Sequence, residues 1–152
     1  MRVLRLTLLG PVLLLLFAML PARADDPIGQ VKTAAGEVTV LRAGATAKLG
    51  IGDRVFQSDV IATGHDGSVG ITFADNSMMS LGPDSRLSLD QFRFDTTTHE
   101  GVFDSSLKAG TLAVKSGEIV KQTPEAMLVK TPGALLGIRG TEFVVRADGG
   151  GS

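Results

Sequence analysis

The feature that most narrows what this chain can become is its punctuation. Short apolar and polar alternations are interrupted roughly every 8 to 12 residues by Gly, Asp, Asn or Pro, and no stretch sustains a helical period. Residues 37–42 (EVTVLR) place Val38 and Val40 on one face, and residues 50–53 (GIGD) then turn the chain. Val60, Ile61 and Ala62 run to a second turn at residues 64–67 (GHDG). From there Val69, Ile71 and Phe73 alternate with Ser68, Gly70 and Thr72, the pattern of a strand with one face in the core. Asp75 and Asn76 tolerate positive φ, so a tight hairpin to residues 78–81 follows, and Pro83 presets φ for a corner at residues 82–84.

Leu87 and Leu89 share one parity, but Phe92 and Phe94 have the other. A period of two cannot absorb that change, so a bulge or sheet-changing bend is predicted near Asp90 and Gln91. Residues 95–100 read as an exposed polar loop. Phe103, Ser105 and Leu107 alternate again, Ala109 and Gly110 are expected to turn the chain, and Leu112 and Val114 belong to a further strand. Residues 118–126 could form a helical turn limited by Pro124. Residues 127–130 form a strand, Pro132 and Gly133 a turn, and residues 141–146 (TEFVVR) the last strand before a glycine-rich tail. Roughly nine or ten short strands predict an all-β domain, antiparallel or mixed, built as a sandwich, roll or short solenoid-like arrangement.

Ahead of this domain lie two cations, Arg2 and Arg5, an apolar run at residues 6–20, and Ala22 and Ala24 in an Ala-x-Ala exit. Together and in order these are the parts of a secretory signal peptide, cleaved after Ala24; the alternative is an uncleaved anchor, since ~20 apolar residues span a bilayer. The organisation is therefore a signal peptide at 1–24, an N-terminal segment at 25–35, the all-β domain at 36–146 and a flexible tail at 147–152. The expected location is the periplasm, with no stable membrane span after cleavage. The chain has no cysteine, which closes the lipoprotein route, disulfides and thiolate metal sites.

After cleavage, 12 basic residues face 16 acidic ones, a net charge of −4 with no basic patch for nucleic acid. Trp and Tyr are absent, which argues against a glycan platform, an aromatic cage or another small-molecule site.

The order of motifs carries a resemblance. Leu49-Gly50-x-Gly52-Asp53-x-Val55 is followed by Asp59-Val60-Ile61-x-Thr63-Gly64. Ser68-Val69-x-Ile71-x-Phe73-x-Asp75-Asn76-Ser77 then leads to Leu81-x-Pro83-x-Ser85-Arg86-Leu87. Leu107, Gly110, Val129, Thr131 and Pro132 continue the series, which closes on Ile138-Arg139-Gly140-Thr141-Glu142-Phe143-Val144-Val145. From about residue 36 to residue 145 the chain resembles the FecR domain family. The resemblance implies an extracytoplasmic all-β module; in the best-known members it takes a signal from an outer-membrane iron transporter and passes it inward to a sigma factor. No cytoplasmic sigma-regulating segment precedes the leader here, so the expectation is a binding or sensory adaptor contacting another envelope protein. The rival reading is a self-associating structural protein that completes an open sheet edge.

An enzyme is not expected. His65 sits in a turn and His99 in a polar loop, and residues 66–70 (DGSVG) lack the first glycine of a nucleophile elbow. Asp53, Asp59, Asp66, Asp75, Asp84 and Asp90 invite a calcium reading, but each stands where a side chain would serve a turn, so no metal or other cofactor is assigned. Gly137, Arg139 and Gly140 are read as a structural clamp, with the guanidinium buried between strands at a cost of ~1 to 3 kcal/mol on removal; the alternative makes Arg139 a partner contact.

Thr141, Glu142, Phe143, Val144 and Val145 form the candidate partner-contact edge. Family members often continue into another Val-rich pair, and without it the strand has unpaired N–H and C=O groups unless an earlier segment at residues 31–34 covers it.

The leader generates the first prediction. N-terminal sequencing of the envelope form should begin at Asp25, and an intact Met1 on a membrane-bound protein would establish the anchor instead.

Overall fold

The computed structural model describes residues 25–149, so the signal peptide expected at 1–24 and the end of the tail expected at 147–152, residues 150–152, lie outside the described residues. The turn-punctuated sequence forms β1 (Gly29–Ala35), β2 (Val38–Arg42), β3 (Ala45–Lys48), β4 (Arg54–Val55), β5 (Val60–Thr63), β6 (Ser68–Phe73) and β7 (Met78–Leu81). These are followed by β8 (Arg86–Phe94), β9 (Gly101–Lys115), α1 (Glu118–Gln122), β10 (Met127–Thr131), β11 (Ala134–Gly137) and β12 (Glu142–Ala147). One half of the sheet runs β4-β1-β6-β7-β9-β12 and the other β3-β2-β5-β8-β9-β10-β11, so β9 belongs to both. Every pairing is antiparallel except β9 with β10, which run parallel across the α1 connection. The all-β expectation holds, as a sheet curled around one core.

The curl originates in β9. Phe103, Ser105 and Leu107 are buried in its first part, whereas Leu112 and Val114 are buried in its second, a change of parity. Between them Gly110 adopts φ +89, and the register with β8 shifts between Leu87↔Leu107 and Arg86↔Ala109. The turn expected at Ala109 and Gly110 is thus a bend within one continuous strand. A left-handed residue re-aims the strand without reversing it. Ser85 seats against the bend: its Oγ accepts from Thr111 N–H at 2.9 Å, and its own N–H donates to Thr63 Oγ1 at 2.9 Å. A Cβ on Gly110 would overlap Ser85 Oγ and Cα.

β8 contains the predicted irregularity. Its register against β9 shifts between Leu89 and Gln91, which returns Phe92 to the interior. Asp90, at the shift, accepts from Ser88 Oγ at 2.7 Å and from Ser106 Oγ. Phe73, Phe92 and Phe103 then meet with ring centroids 4.6 to 6.0 Å apart, two of the three pairs edge to face. Each fully buried large apolar side chain contributes about 1.5 to 3 kcal/mol.

The segment at 25–35 is part of the domain rather than a separate leader-proximal piece. Val31 is fully buried, and β1 pairs with β6 on one side and β4 on the other. It therefore does not cover β12, which lies at the opposite end of its half-sheet. α1 is short because Pro124 follows it closely; its two buried residues, Ile119 and Val120, fasten the crossover to the core.

Gly110→Ala should lower stability by roughly 2 to 4 kcal/mol, since it combines backbone strain at positive φ with overlap against Ser85. A denaturant midpoint indistinguishable from the parent would show that the bend does not depend on this glycine.

Candidate functional site

β12 is assembled onto β9 by a register running from Glu142↔Lys115 to Ala147↔Gly110. Its entry is fixed by Ser116, whose N–H donates to Thr141 O at 2.9 Å and whose Oγ donates to Gly140 O at 2.6 Å. Since the Thr141 carbonyl faces β9, antiparallel alternation turns the backbone groups of Phe143, Val145 and Ala147 to β9 as well. Those of Glu142, Val144 and Arg146 point the other way, and β12 pairs with no second strand among the described residues.

Side chains alternate on the perpendicular axis. Val145 and Ala147 are buried, and Phe143 packs half-buried against the core. Glu142, Val144 and Arg146 are exposed, Val144 at 69%. The five candidate edge residues therefore separate into three groups: Phe143 and Val145 hold the strand, Glu142 and Val144 have exposed side chains and backbone groups at the open side, and Thr141 sets the register. Glu142 lies 3.6 Å from Lys115 across the sheet. Beside the entry to β12 is a groove of about 460 Å³ lined by Val120, Lys121, Pro124, Arg139 and Thr141 among others.

The clamp assignment is corrected. Gly137 ends β11 and Gly140 adopts φ +128, but it is Ile138 between them that is buried, with its N–H donating to Met127 O at 3.0 Å. Burying Ile138 sends the adjacent side chain outward. Arg139 is 73% exposed and pairs with the equally exposed Glu125 at the rim of the groove.

Among the described residues the buried carboxylates are instead Asp59 and Asp75. Asp59 is fully buried and accepts from Arg42 Nε at 2.8 Å, Arg42 Nη2 at 2.7 Å and Phe56 N–H at 2.9 Å. The guanidinium lies over the Phe56 ring, 4.4 Å from its centroid. Its hydrogen bonds to Asp59 hold the Arg42 pKa above the ordinary value, against the opposing effect of burial. The register brings them together, since Arg42 and Asp59 stand one step beyond the Leu41↔Val60 pair of β2 and β5.

The other candidate polar residues serve the backbone or solvent. Asp53 Oδ2 accepts from Gly50 N–H at 2.7 Å, and Asp75 Oδ1 from Ser77 N–H at 3.0 Å. His65 is exposed beside Asp84, while His99 stacks on Phe94. Among the described residues, no three His, Asp or Glu side chains are grouped to hold a metal ion.

The model of the FecR protein family matches residues 59–152, more than half of the chain, from the start of β5 through β12. β1 to β4 precede the match, although they complete the same sheet. No curated protein and no solved structure matches the chain.

The two arginines should respond differently to truncation. Asp59→Ala, which strips Arg42 and the Phe56 N–H of their partner, should cost roughly 2 to 3 kcal/mol. Arg139→Ala should cost less than about 0.5 kcal/mol, as expected of an exposed ion pair. Urea denaturation of both variants checks the pair, and the reverse order would restore the clamp.

Proposed function

The chain belongs to the FecR family, and from that premise we propose that it works in the periplasm as a binding or sensory adaptor whose β12 edge accepts a strand of another envelope protein. The family is one of regulatory and signalling proteins, and its domain is generally associated with the bacterial envelope. No helix among the described residues is long and apolar enough to cross a membrane.

The observation that carries the reading is the outward row of Glu142, Val144 and Arg146. Strand addition needs a row of unpaired N–H and C=O groups for affinity and alternate side chains for selectivity. β12 supplies both, in a strand already extended and anchored on its other side by Phe143 and Val145. The flanking charges limit indiscriminate pairing, which suits a selected partner.

A photocrosslinking residue at position 144, introduced in the cell that makes the protein, should form an adduct with a different envelope protein. Val144→Pro should abolish capture from neighbouring edge positions while leaving the fold intact, because proline removes an outward N–H and no bond to β9. Crosslinks to other proteins from distant faces but none from β12 would refute the edge as the contact.

A further inference from the structure

We propose that β12 also pairs with β12 of a second copy, antiparallel about a two-fold axis at Val144, so that the free chain forms an isologous dimer which an incoming partner strand displaces. The proposal rests on the adaptor reading only in making the two occupants exclusive; the dimer itself follows from the strand.

Three observations favour a second copy. First, among the described residues β12 is the longest of the four strands that end the sheet: β3 and β11 have four residues each and β4 has two, against six in β12. Second, its outward backbone groups belong to Glu142, Val144 and Arg146, so a second β12 can bond to all three in register.

Third, the charges are self-complementary. Glu142 and Arg146 stand two residues to either side of Val144, and all three side chains are exposed on one face. An antiparallel copy centred on Val144 sets Val144 against its counterpart, Glu142 against Arg146 of the second copy, and Arg146 against Glu142 of the second copy. The added cation approaches Glu142 from the side opposite Lys115, so the row alternates in sign across the junction. Opposite charges directly across an antiparallel pair stabilise it and like charges weaken it. An isologous interface requires this kind of self-matching patch. β3, whose sequence is Ala-Thr-Ala-Lys, contains no such pair.

Sedimentation equilibrium of the protein as it accumulates in its host, over a wide concentration range, tests the proposal. The parent should show a monomer–dimer equilibrium. Glu142→Arg or Arg146→Glu alone should each weaken the dimer by about tenfold, because both junctional pairs become like-charged. The double swap, combined with Lys115→Glu so that β9 still faces position 142 with the opposite charge, should restore the parent affinity, and an equimolar mixture of the two single variants should form a mixed dimer. A parent that stays monomeric throughout, single variants that dimerise like the parent, or a double swap with Lys115→Glu that fails to recover would each overturn the proposal. The two readings fail separately. A heterologous adduct at position 144 with a monomeric parent removes only the dimer, whereas a charge-reversible dimer without that adduct removes only the adaptor.

Discussion

At Gly110 the backbone of β9 takes φ +89, and the face it turns inward changes from odd to even residues. Both half-sheets depend on that change. Before it, β9 gives Phe103 and Leu107 to the core and pairs with β8 and β10; after it, β9 gives Leu112 and Val114 and pairs with β7 and β12. The link from β7 to β8 runs past the bend along one edge of β9, where Gly82 N–H and Ser85 Oγ engage Thr111. A straight β9 would place one of these apolar pairs in solvent. The covalent economy of one strand serving two half-sheets therefore demands a residue without a Cβ at a single position.

Charge is distributed according to the same architecture. The Arg42–Asp59 pair lies at the end of β2 and the start of β5, where burying Asp59 is offset by a two-pronged guanidinium contact, a backbone donor and the Phe56 ring. Those contacts tie the turn before β5 to the neighbouring hairpin. Arg139 and Glu125 form their ion pair where both remain largely hydrated, so it adds little to stability. The open edge of β12 thus owes its geometry to apolar anchoring by Phe143, Val145 and Ile138, and its charges stay available to whatever lies alongside.

What could be read from the sequence follows the reach of each signal. The bulge at Asp90 was legible because Leu89 and Phe92 break a period of two within four residues. The same break between Leu107 and Leu112 was visible too, but Gly110 serves a reversal and a bend equally well, and only the pairing of β7, β8 and β12 with β9 decides between them. β11 escaped because Ala134, Leu135 and Leu136 show no alternation and face largely outward. β1 was partly legible through Val31, yet its place between β6 and β4 is a long-range fact. At the candidate site, the alternation of Phe143, Val144 and Val145 showed the two faces of β12, whereas the burial of Asp59 required the register of strands 17 residues apart. Arg139 misled because flanking glycines resemble a close-packed site, although Ile138 occupies it.

The strength of association that such an edge supports constrains how it is used. Covering Val144 contributes about 1 to 2 kcal/mol, and each well-formed edge hydrogen bond adds about 0.5 to 1.5 kcal/mol net. Against these stand roughly 4 to 15 kcal/mol of lost translational and rotational freedom. Because β12 is already extended and anchored, little further ordering opposes binding, but a strand pairing there and nowhere else remains weak and reversible. A partner whose chain continues past Thr141 also reaches the groove beside α1, where Val120 and Pro124 supply apolar surface and Arg139 and Lys121 lie at the rim. On the proposed reading, that additional burial would be a difference of affinities rather than a new site, and would let a heterologous strand replace an identical one at the same edge.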